Sequence, residues 1–158
     1  MSKICMFCGD NYFYNKRKTA KAVKKIITDL IENEDVNTFY SGGVNTFDKM
    51  CEDCVRELKK TYPNLKLCLF LPYISIYVTR NMERYNNLYD EITEIKNLNI
   101  SPEDKYDPYM SYALKLDMWM VDRSDYLITN ILRNEGRTYK TFIYADKMQI
   151  NIKDVTIV

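Results

Sequence analysis

An α/β architecture is what this sequence predicts: a Rossmann-like, doubly wound, mostly parallel sheet with helices on both faces. Three observations support it. Short apolar runs alternate with longer stretches in which apolar residues recur at helical spacing. The links between them are short, as in right-handed βαβ units. The run at 65–71 is apolar but for Lys66, which suits a strand covered by helices on both sheet faces.

The elements follow in order. Residues 3–8 read as the first strand, ending at Gly9, Asp10 and Asn11. Residues 16–32 form an amphipathic helix, with Ala20, Val23, Ile26, Ile27, Leu30 and Ile31 at helical spacing and lysines between them. Residues 36–41 are the second strand, and Gly42-Gly43 follow at once. Residues 46–61 are the second helix, with Phe47, Met50, Cys51, Cys54, Val55 and Leu58 on one face, stopped by Tyr62-Pro63-Asn64. Residues 65–71 are the third strand, closed by Pro72. The pattern then weakens: 80–98 reads as a polar helix and 99–108 as a loop with two prolines. Residues 109–123 read as a helix, 126–129 as a short buried strand, 134–137 as a turn, 138–148 as a helix and 150–158 as one or two final strands. No repeat or linker interrupts the pattern, so residues 1–158 are expected to form one domain.

Composition narrows the function. A net charge of +1 argues against a dedicated nucleic-acid surface. No apolar run is long enough to span a membrane. Five cysteines suit reduced thiols, and the N-terminus enters a strand without signal-peptide form, so a cytoplasmic protein is expected. Cys5–Cys8 and Cys51–Cys54 each have C-x-x-C spacing, but the first pair lies in a strand and the second on an apolar helix face. Buried thiols are the better reading than zinc ligands, and no metal or cofactor is expected. Histidine is absent, which removes the commonest general base and metal ligand.

Ligands in this architecture bind beyond the carboxyl ends of the strands. Three strand ends carry suitable residues: Gly9, Asp10 and Asn11; Ser41, Gly42 and Gly43; and Asn130, Arg133, Gly136, Arg137 and Thr138. A strand, a Gly-Gly turn and a helix N-terminus can cradle an anion, or they can be a plain turn. Asp48 at the start of the second helix either meets a ligand or complements the helix dipole. Arg133 and Arg137 are candidate phosphate clamps, whereas Arg80 and Arg84 read as a solvated face. Tyr12, Tyr14, Tyr73 and Tyr77 follow strand ends and could stack on a base.

Several segments resemble the SLOG superfamily, named after its Smf/DprA and LOG members, and its YpsA-like branch above all. Phe39 to Asp48 is similar to that branch's F-x-S-G-G-x-x-x-F-D stretch. Tyr62 to Leu67, followed by Leu71-Pro72-Tyr73, resembles Y-P-x-I-K-L…L-P-[CY]. Met120 to Ile128 resembles M-V-D-x-S-D-x-L-I, and Gly136-Arg137-Thr138 with Tyr144-Ala145 resembles G-G-T…Y-A. The resemblance implies a Rossmann-like domain that binds a nucleotide or nucleotide-derived small molecule, and it adds Phe47, Pro72 and Tyr73 to the candidate site. It also implies a homodimer or larger homo-oligomer, in keeping with 14 tyrosines and Trp119 in a chain of this length. LOG members are phosphoribohydrolases that use an arginine before the M-x-x-x-S/A-D run and a glutamate in P-G-G-x-G-T-x-x-E. Leu116 and Thr141 stand at those positions here, and the opening turn is Gly9-Asp10-Asn11 where relatives have G-H-R. A binder that senses or sequesters its ligand without catalysis is therefore expected. The alternative is a diverged N-glycosidase acting on nucleoside monophosphates, with Asp48 or Glu135 doing acid–base work.

Overall fold

Side-chain oxygens mark where three of the helices start. In the computed structural model, which describes residues 2–43, 45–96, 98 and 108–157, Asn15 caps α1 (Lys16–Asn33) by accepting from Lys18 N–H at 3.0 Å. Asn45 caps α2 (Thr46–Leu58) and Ser75 caps α3 (Ile76–Arg80) in the same way. α4 (Met82–Leu88), α5 (Pro108–Asp122) and α6 (Gly136–Lys147) complete the helices. The strands are β1 (Lys3–Phe7), β2 (Val36–Ser41), β3 (Lys66–Leu71), β4 (Glu91–Glu94), β5 (Tyr126–Thr129) and β6 (Asn151–Asp154), and a 3₁₀ turn, Val155–Ile157, follows.

All five strand pairings are parallel, in the order β4-β3-β2-β1-β5-β6. The chain steps outward from β1 to β4 on one side, then returns to place β5 against the other edge of β1. That reversal puts a topological switch point between β1 and β5. Pleating sorts the core into two layers. Cys5, Phe7, Phe39, Tyr126 and Ile128 pack with Val23, Ile27 and Leu30 of α1 and Phe47, Cys51 and Val55 of α2. Met6, Cys8, Cys68, Phe70 and Leu127 pack with Leu116 and Met120 of α5 and Ala145 of α6. No helix among the described residues is long and apolar enough to cross a membrane.

The segment read as a helix over 80–98 is corrected by the structure: two short helices are followed by the edge strand β4. Asp90 is the cause. Its carboxylate accepts from Leu67 N–H at 2.7 Å and from Lys59 Nζ at 2.6 Å, which pins the chain beside β3. Burial pushes this carboxyl up, but Lys59 and the Leu67 N–H outweigh that and hold it below its ordinary value. The loop read at 99–108 lies outside the described residues except for Pro108, which opens α5.

Gly9 is needed for close approach. A Cβ there would lie 2.4 Å from Cδ2 of Phe47, a fully buried ring. Gly9→Ala is expected to destabilise the fold by about 1–3 kcal/mol, because either ring or backbone must move. A melting temperature equal to the wild type's would refute that role.

Candidate functional site

The switch point brings two strand ends together. Asp10 N–H donates to the Asn130 carbonyl at 2.8 Å, and Asn130 Nδ2 returns bonds to the carbonyls of Asp10 and Tyr12. Asp10 Oδ2 accepts from Leu132 N–H at 2.9 Å, and Arg133 Nη2 lies 3.5 Å from Asp10 Oδ1. Asn11 Oδ1 accepts from Thr46 N–H at 2.7 Å, while Asn45 Nδ2 donates to the Gly9 carbonyl. Gly9, Asp10, Asn11, Asn130 and Arg133 therefore meet at one rim. Asp10 and Asn130 are buried and serve mainly as a staple between the β1 and β5 loops. Arg133 stays exposed.

The Gly-Gly turn leads into a cleft. Gly43 has φ +60°, a left-handed conformation that side chains rarely adopt, and its N–H donates to Ser41 Oγ at 3.1 Å. Ser41 Oγ donates in turn to Glu52 Oε2 at 2.5 Å. Glu52 is buried, and its Oε1 accepts from Tyr89 Oη at 2.6 Å and Arg56 Nη2 at 3.1 Å. Burial and then the Glu52 charge push the Tyr89 hydroxyl well above its usual range, so it remains a donor. One carboxylate thus ties β2, α2 and Tyr89 at the end of α4 into a single unit under the turn.

Beside this unit is a cleft of about 400 Å³. Gly42, Gly43, Leu69 and Leu71 border it at the carboxyl ends of β2 and β3. Tyr77, Tyr85 and Tyr89 also line it: Tyr77 meets Tyr85 edge-on with centroids 6.5 Å apart, and Tyr85 stacks on Tyr89 at 6.2 Å. Lys49, Arg56 and Arg84 supply positive charge. Arg56 is occupied by Glu52 and Asp53, while Lys49 and Arg84 are exposed. Sequence reasoning placed Arg84 on a solvated face and passed over Glu52, Tyr85 and Tyr89. The Tyr85/Tyr89 spacing at i,i+4, next to Arg84, was the available signal.

Other candidates face inward. Arg137 was expected as a phosphate clamp, but it is buried and forks onto Asp117, with Nε–Oδ2 at 2.6 Å and Nη2–Oδ1 at 2.9 Å. Thr141 Oγ1 and Cys8 Sγ donate to the same carboxylate. Phe47 is fully buried beneath Gly9 and serves packing, Thr138 is buried, and Asp48 is fully buried in the first turn of α2. Gly136 opens α6, and no side chain caps that helix. Pro72 is half-buried, while Tyr73, Tyr77, Tyr12 and Tyr14 are exposed. The five cysteines are free thiols; burial pushes Cys54 up to about 11 and Cys68 up to about 12. No cluster of three or more metal-ligating side chains occurs among the described residues.

The family model YpsA, described as the YspA SLOG family, matches residues 10–157. No curated protein matches the chain. Among solved structures, the chain is similar to the X-ray structure of DNA processing protein A (DprA) from Streptococcus pneumoniae. The TM-score is 0.64 at 12% identity, over 96% of this chain and 49% of that one. The likeness shows a shared fold, and this chain spans about half the length of that relative.

Proposed function

We propose, from the premise that the chain belongs to the YpsA SLOG family, that it binds a nucleotide or nucleotide-derived small molecule at the carboxyl-end rim without turning it over. The cleft beside Gly42-Gly43 is the observation that carries this reading. Its volume of about 400 Å³ suits a small ligand. Tyrosine faces offer stacking for a base. Lys49 and Arg84 offer charge complementarity for phosphate. A sensor or a sequestering protein needs no more than this.

The N-glycosidase alternative has less support. Leu116 is 1% exposed and packs in the core, and Thr141 is fully buried with its hydroxyl committed to Asp117. Asp48 is fully buried, which leaves exposed Glu135 as the accessible acid of the two that could substitute.

Arg84→Ala is expected to weaken nucleotide binding roughly tenfold, the loss of one charge-assisted contact, while leaving stability unchanged because the side chain is exposed. Calorimetric titration with a nucleotide panel measures it. Gly43→Val should also weaken binding, since the branched side chain cannot hold the turn at φ +60°. Wild-type affinity in both folded variants would remove the cleft from the site.

A further inference from the structure

We propose that the groove between α1 and α2 docks an acidic, amphipathic segment of a protein partner, its carboxylates on a cationic rim and its aliphatic side chains on the groove floor. This goes beyond small-molecule binding and uses a different face, bordering the first cleft only at Lys49 and Asp53.

The near-neutral net charge hides a segregation. Lys16, Arg17, Lys18, Lys21, Lys24 and Lys25 fall within ten residues that contain no acid, leaving 17 cations against 22 acids in the rest of the chain. All six are exposed. Among the described residues only Lys24 of the six forms an ion pair, with Glu57 across the groove at 3.4 Å. The first three occupy the opening turn of α1, which holds no acid and where the helix dipole disfavours cations. A face built only for solvation mixes signs at i,i+4 spacing, whereas here only Lys25 of the six has an acid at that spacing, Asp29. Such a concentration of charge favours an anion from outside the chain.

The groove itself chooses the kind of anion. It measures about 450 Å³. Ala20, Met50 and Cys54 form an apolar floor between rim cations from α1 and Lys49 from α2. None of its described lining residues is aromatic. Single-stranded nucleic acid relies on aromatic platforms for its bases, so that partner lacks its usual hold here. A methyl, a thioether and a thiol suit the aliphatic anchors of a helix or extended segment, and methionine adapts to their shape. Asp53 and Glu57 on the α2 wall repel carboxylates, which directs the acidic side of the partner toward α1.

The probe is a fluorescein-labelled peptide of about 16 residues built from glutamate and leucine, with leucines at helical spacing. Anisotropy is read in about 50 mM salt, where screening is modest. Saturable binding is expected. It should weaken at least roughly tenfold when Lys16, Arg17 and Lys21 are all changed to glutamate, and similarly when the leucines of the peptide are replaced by serine. Oligothymidylate and phosphatidylglycerol vesicles should bind more weakly than the peptide. The methyl resonances of Ala20 and Met50 in the unmodified protein should shift on peptide addition, a readout that stands even if the triple variant folds poorly. No saturable binding, unshifted methyls, indifference to charge reversal in a folded variant, or tighter binding of the nucleotide polymer or the vesicles would each overturn the proposal.

Discussion

Asp117→Ala is expected to cost about 3–5 kcal/mol of folding stability, the usual penalty for stripping one partner from a buried ion pair. Asp117 is fully buried between α5 and α6 and accepts two bonds from Arg137, one from Thr141 and a weak one from Cys8. Its removal leaves a guanidinium charged in the core without the carboxylate it forks onto, and the Asp48 charge is only a weaker influence on it. Burial opposes that charge, and the Asp117 carboxylate more than restores it in the native protein. The double change Asp117→Leu with Arg137→Met should recover much of the loss, since apolar replacement of a whole buried pair is often neutral. Urea unfolding measures both. A single-variant loss below about 1 kcal/mol would show that the pair is solvated in solution.

The second large effect concerns catalysis. No release of free base from AMP or related monophosphates is expected above background. An N-glycosidase needs a group to protonate the departing base and charge to control the ribosyl cation, each worth roughly 10²–10⁴ in rate. The positions that the LOG resemblance assigns to those tasks hold Leu116, packed against the sheet, and Thr141, whose hydroxyl is bound to Asp117. Neither side chain carries charge, and the chain has no histidine to replace them. Chromatography of long incubations reads the outcome. Steady base release that vanishes in Glu135→Gln would establish the enzyme reading.

Much of the fold was legible because local signals coincide with it. β2 and β5 occupy the ranges that apolar runs and flanking turn residues indicate, and β3 differs by one residue. The meeting of Gly9, Asp10, Asn11, Asn130 and Arg133 followed from the topology alone, since strand ends at a switch point must converge. What was missed depends on distant partners. β4 hides its alternation among charged residues and is held by Asp90, which reaches back to Leu67 and Lys59. Arg137 looks like a rim cation until Asp117, 20 residues earlier, is seen to bury it. Glu52 sat inside a C-x-x-C spacing, and nothing local shows that it ties Ser41, Arg56 and Tyr89 together. The wall of the cleft comes from the very segment whose pattern was weakest, so Tyr85, Tyr89 and Arg84 could not be placed beside Gly43 beforehand.

The central claim is that the rim cleft holds a nucleotide-derived molecule and returns it unchanged. Native mass spectrometry of the protein incubated with a panel of nucleotides tests it most directly. The expected result is one retained adduct at the mass of an intact nucleotide or nucleotide derivative, lost when Arg84 is changed to alanine. A spectrum showing only the unliganded protein across the whole panel would contradict it.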